Sequence, residues 1–124
     1  MGIPVGLRFF LILFFGLGMV SYLGLKTVTG SDPSNKTVVR VDIKLFTFKP
    51  GTLDVPLGTT VVWTNGDPIE HSITNGTPDK PGEAFDSGFL TKGETFSFTF
   101  SRVGEYPYFC RRHNFMRGVI RVVP

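Results

Sequence analysis

The sequence predicts an all-β domain behind a hydrophobic leader. Three observations carry this reading. Segments rich in Val, Ile, Thr and Phe recur through residues 37–124, and one of them alternates strictly. Gly and Pro, 15 and 9 in number, fall between these segments, and no stretch holds a 3.6-residue period. Residues 9–25 carry no charge and are bracketed by Arg8 and Lys26. Short strands divided by turn signals imply an antiparallel sandwich or barrel of roughly 90 residues.

Residues 1–26, "MGIPVGLRFFLILFFGLGMVSYLGLK", stand apart as a signal peptide or an N-terminal membrane anchor. Arg8 ahead of the apolar run directs export of the downstream chain. The run is long for a signal segment and short for a spanning helix, so both fates fit it. If it is retained, residues 9–25 associate with the membrane. Residues 27–36, "TVTGSDPSNK", have linker composition. Residues 37–124 form the domain. "TVVRVDIKLFTFKP" is β-branched and aromatic and ends at Pro50. "GTTVVWTNGD" is a strand closed by an Asn-Gly-Asp-Pro turn. "NGTPDKPGEAFDSG", residues 75–88, is expected to be an irregular surface excursion. In "ETFSFTFS", Phe96, Phe98 and Phe100 point inward and the hydroxyl residues point out. "GVIRVVP" closes the chain with Ile120 and Val122 on one face.

Composition removes several classes of function. The net charge of +3 is concentrated at the C-terminal end, where residues 102–124 hold five Arg against one Glu. That is a local bias, without the basic blocks or interleaved aromatics of a nucleic-acid-binding surface. A single cysteine excludes an internal disulfide.

That cysteine lies in "YPYFCRRHNFM", where Cys110, His113 and Met116 recur at three-residue spacing. In a strand, Cys110 and His113 would face opposite ways. A tight curl of about three residues per turn brings them to one side. Thiolate, imidazole and thioether together select copper, and an electron-transfer copper site needs a second imidazole. The remaining histidine is His71. Taken singly, Cys110 suits a core position, His71 a turn and Met116 a core position. Taken together, with both histidines used, they point to a metal.

On "FTFKPGTLDVPLGTTVVWTNGD", "EHSI", "FDSGFLTKGETFSFTFSRVGEYPYFC", the C-x2-H-x2-M loop and "GVIRVV", the domain resembles the cupredoxins, blue copper proteins of the plastocyanin–amicyanin kind. The short ligand loop is similar to that of amicyanins. The resemblance implies a Greek-key two-sheet β-sandwich with one type 1 copper at one end. It implies His71, Cys110 and His113 as planar ligands and Met116 as a weak axial ligand. It implies Asn65 and the Ser72 N–H as supports. It also marks two departures: Ser72 where many relatives have Asn, and Arg112 where many have Pro. The Arg112 N–H, absent from a proline, is expected to point at the ligand sulfur.

The expected function is one-electron transfer, Cu(II)/Cu(I), between extracytoplasmic or periplasmic redox proteins. Donor and acceptor are expected to dock at the copper end near His113, with the protein a monomer. Arg111 and Arg112 are expected to be solvated loop charges. The alternative is a copper carrier or delivery protein. A Cys–His hydrolase lacks any oxyanion motif here. A multicopper enzyme needs more histidines, and Met is a poor zinc ligand. No enzymatic activity is expected.

Overall fold

In the computed structural model, residues 36–124 are described, and they contain nine strands and no helix. The leader over 1–26 and the linker up to residue 35 lie outside the described residues. The strands are β1 (Val38–Lys44), β2 (Thr47–Lys49), β3 (Thr52–Pro56), β4 (Thr60–Asn65), β5 (His71–Thr77), β6 (Lys80–Leu90), β7 (Thr95–Thr99), β8 (Gly104–Phe109) and β9 (Arg117–Val123). They form a four-stranded sheet, β2-β1-β4-β7, and a five-stranded sheet, β3-β9-β8-β5-β6. The chain changes sheet after β2, β3, β4, β6 and β7, giving the expected Greek-key sandwich.

The inward faces obey the alternation in the sequence. Val41 and Ile43 of β1, Val61 and Trp63 of β4, and Ile120 and Val122 of β9 are buried at every second position. Phe100 is fully buried, while Phe96 and Phe98 are half-buried and pack against the same core. Burying each such side chain stabilises the fold by about 1.5–3 kcal/mol. Trp63 and Tyr108 meet edge to face across the sheets at 5.5 Å between centroids. The Tyr108 ring lies over its cross-strand partner Gly118, where an added Cβ would collide with Cζ. Burial pushes the Tyr108 phenol up to about 12, with Trp63 pulling weakly the other way.

The strand expectations need three corrections. The sandwich is not wholly antiparallel: β1 pairs with β4, and β3 with β9, in parallel. Each of these pairs is joined through the opposite sheet, so no hairpin constrains its direction. The segment 37–50 is a hairpin and not one strand. Leu45 and Phe46 turn between Lys44 and Thr47, with φ of 52° and 58°. Two non-glycine residues there cost about 1–2 kcal/mol each, so nothing in "LF" signals a turn. The stretch 75–88 is not irregular, because most of it is the edge strand β6 paired to β5. An edge accepts Pro81, and the buried Asn75 side chain spans the second of two register shifts, between Thr74 and Gly76. Asn75 Oδ1 accepts from Ala84 N (3.1 Å) and its Nδ2 donates to Pro107 O (3.1 Å).

Candidate metal centre

The centre forms where three adjacent strands of the larger sheet begin or end. His71 opens β5, Cys110 comes directly after the last residue of β8, and Met116 precedes β9. The loop 110–116 is a tight turn, as its spacing predicts. Met116 N donates to His113 O (2.8 Å), and Cys110 N donates to Met116 O (3.2 Å). With its amide turned so that nitrogen faces the carbonyls, Asn114 donates to Arg111 O (3.2 Å) and Cys110 O (3.3 Å). Arg117 Nε donates to Asn114 O (3.0 Å). The backbone inside the loop is thereby bonded at both ends.

Three donor atoms converge there. Cys110 Sγ lies 3.9 Å from His71 Nδ1 and 3.7 Å from His113 Nδ1, and all three atoms lie within 4.8 Å of one another. Metal–sulfur and metal–nitrogen bonds of about 2.3 and 2.0 Å subtend about 3.7 Å at a trigonal angle and about 3.5 Å at a tetrahedral one. The two sulfur–nitrogen spacings are those of donors that could share one metal ion. His71 and Cys110 are fully buried, Met116 is buried on the same loop, and His113 is half-buried. Burial, then charge interactions with His71 and Arg112, hold the His113 imidazole below its ordinary value.

A ring of hydrogen bonds surrounds these residues. The Ser72 N–H points at Cys110 Sγ (3.4 Å), as the resemblance implies. Ser72 also replaces the asparagine clamp by a different route. Its Oγ accepts from Arg111 N (2.9 Å) and meets Thr74 Oγ1 (2.9 Å), which donates to Asp86 Oδ1 (3.1 Å). The hydroxyls thus run one way, from the Arg111 N–H to the Asp86 carboxylate. Asn65 braces the turn before His71 through its hydrogen bonds. It donates to Ile69 O and Leu90 O and accepts from Asp67 N.

One expectation about the arginines fails. Among the described residues, the N–H aimed at Cys110 Sγ belongs to Ser72, and Arg112 supplies none. Arg111 and Arg112 are exposed loop charges, as expected, and each is engaged at the surface. Both guanidinium groups lie over the Phe89 ring, at 5.0 and 4.6 Å from its centroid. Arg111 pairs with Asp86 (3.6 Å) and Arg112 with Glu70 (3.1 Å).

Two contributors escape the sequence reading. Asp67 Oδ2 accepts from His71 Nε2 (2.9 Å), and Phe46 packs edge-on against His71 (5.2 Å) and His113 (5.1 Å). Burial raises the Asp67 carboxyl, but donors from Phe46, His71 and Leu45 outweigh it and hold the group below the usual carboxylate value. A signal for Asp67 existed in its place four residues before His71, inside a segment that otherwise signals only a turn.

A two-sheet Greek-key sandwich with a buried cysteine and two histidines converging at one end defines a cupredoxin. The chain belongs to the plastocyanin/azurin family of copper-binding proteins, which matches residues 35–123. Over 97 residues it is 32% identical to amicyanin from Paracoccus versutus, covering 78% of this chain and 73% of that one. It is 35% identical over 83 residues to amicyanin from Paracoccus denitrificans, covering 66% and 63%. The structure of a purple cupredoxin from Nitrosopumilus maritimus superposes with a TM-score of 0.64 at 30% identity, over 68% of this chain and 99% of that one. A copper-containing nitrite reductase from Thermus scotoductus superposes at 0.63 with 30% identity, but this chain spans only 24% of it. The fold is therefore also found within an enzyme.

Proposed function

We propose that the protein is a one-electron carrier holding one type 1 copper through His71, Cys110, His113 and Met116. The observation that carries this reading is the convergence of one cysteine sulfur and two histidine nitrogens within 4.8 Å of one another, with Met116 buried on the same loop. Copper, when bound, supplies a Cu(II)/Cu(I) couple. The residues keep its surroundings constant. The Cys110 thiolate is fixed by the Ser72 N–H, and the loop carrying His113 and Met116 is closed on itself. Ligands held this firmly rearrange little when charge changes, which suits a carrier.

His113 is the ligand ring nearest solvent, so it is the contact through which a docked redox protein reaches the centre. Around it lie exposed Phe46 and Phe115, with Leu45 and Ile69 also exposed on neighbouring turns. Arg111, Arg112 and Arg117 form the rim. This combination favours an acidic partner meeting an apolar patch. Export to an extracytoplasmic compartment is supported by the leader's charge pattern. The amicyanin and plastocyanin relatives favour a carrier over an enzyme.

The test is to load the full chain with Cu(II) and record its visible spectrum. An intense thiolate-to-copper band is expected, with Cys110→Ala abolishing it. A colourless wild-type complex sinks the proposal. Repeated reduction and oxidation without loss of copper separates a shuttle from a copper delivery protein.

A further inference from the structure

We propose that Asp67 is a positioning residue of the metal centre: its buried carboxylate fixes the His71 ring and favours the oxidised metal. This rests on the reading of His71 as a ligand.

The carboxylate is surrounded by donors only. Oδ1 accepts from Leu45 N (2.7 Å), and Oδ2 accepts from Phe46 N (2.8 Å) and His71 Nε2 (2.9 Å). The Asp67 side chain is 5% exposed and that of His71 is 0%. Three hydrogen-bond donors meeting two oxygens suit an ionised carboxylate, which accepts only. They also set the His71 tautomer. Nε2 carries the hydrogen that Asp67 accepts, so Nδ1 presents its lone pair on the side of Cys110 Sγ. The other tautomer would point a lone pair at the carboxylate and lose this bond.

The same carboxylate holds the Leu45–Phe46 turn, whose two positive φ angles need outside support. That turn sets the Phe46 ring against both histidines. One side chain therefore couples a buried ligand to the aromatic cover of the exposed one. Its negative charge also acts on the centre. The oxidised metal carries one more positive charge than the reduced metal, so a desolvated anion behind His71 favours oxidation.

The experiment compares copper-loaded full chains of wild type, Asp67→Asn and Asp67→Glu. Asn keeps the size and one acceptor oxygen but removes the charge, whereas Glu keeps the charge. In Asp67→Asn, the reduced-to-oxidised ratio at a fixed applied potential should rise on the order of tenfold, about 59 mV for one electron. Copper affinity should fall by about tenfold. Asp67→Glu should recover most of the potential shift. Equal potentials in wild type and Asp67→Asn, or equal shifts in the Asn and Glu variants, overturn the proposal. If Asp67→Asn does not fold, nitrogen-15 NMR of the metal-free wild type decides. A His71 ring protonated at Nε2 and slow to exchange supports the proposal, and the Nδ1-protonated form overturns it. A wild type that takes up copper without the thiolate colour refutes the ligand reading itself. A blue wild type with an indifferent Asp67→Asn refutes the positioning role alone.

Discussion

Ser72→Ala should loosen the ligand loop without touching any ligand. The substitution removes two contacts of 2.9 Å, one from the Arg111 N–H and one to Thr74 Oγ1. Each is worth about 1 kcal/mol net, and the part-buried Arg111 N–H left behind adds a share of the desolvation cost. The expected loss is about 2–3 kcal/mol. For a domain of this size that corresponds to a melting temperature lower by about 10–20 °C. Thermal unfolding of the metal-free full chain, monitored by circular dichroism, measures it. Thr74→Val removes the bonds to Ser72 Oγ and Asp86 Oδ1 but keeps the Arg111 N–H bond, and should cost about 2 kcal/mol. Because the two residues share one bond, the double variant should fall short of the sum by about 1 kcal/mol. Amide exchange at Arg111 should quicken in Ser72→Ala and stay slow in Thr74→Val. A Ser72→Ala melting point within about 3 °C of wild type would refute the view that the hydroxyl replaces the asparagine clamp.

Gly118→Ala should destabilise the fold by about 1–3 kcal/mol, since its Cβ meets the Tyr108 ring; a neutral melting curve would show that the ring can move aside. In the metal-free protein, His113 should titrate below the ordinary value of ~6.5. Its folded pKa is depressed, so just below that value the unfolded chain binds more protons and stability falls as pH drops. An NMR titration with its midpoint at or above ~6.5 contradicts this. Changing Arg111 and Arg117 to Glu should slow electron transfer to an acidic redox protein and flatten its salt dependence. Rates unchanged at low ionic strength would move the docking face elsewhere.

Strand content, much of the inward face and the residues that meet at the centre were legible in the chain before any folding partner was known. Alternation in "ETFSFTFS" and "GVIRVV" is a local signal, because a strand's side chains must take opposite faces whatever surrounds it. The same holds for Cys110, His113 and Met116, whose spacing demands a curl. His71 was legible by chemistry, as the one imidazole left. Other features depended on contacts between distant segments. The Leu45–Phe46 turn has no local preference for positive φ, and the Asp67 carboxylate that accepts both of its N–H groups lies over twenty residues downstream in the chain. The parallel pairings depend on crossings between sheets, and strand β6 depends on Asn75 reaching across an edge that composition marks as a loop. Arg112 departs from its expected role for the same reason. Which N–H meets the Cys110 sulfur is set by how β5 lies beside β8, and residue type cannot report that distance.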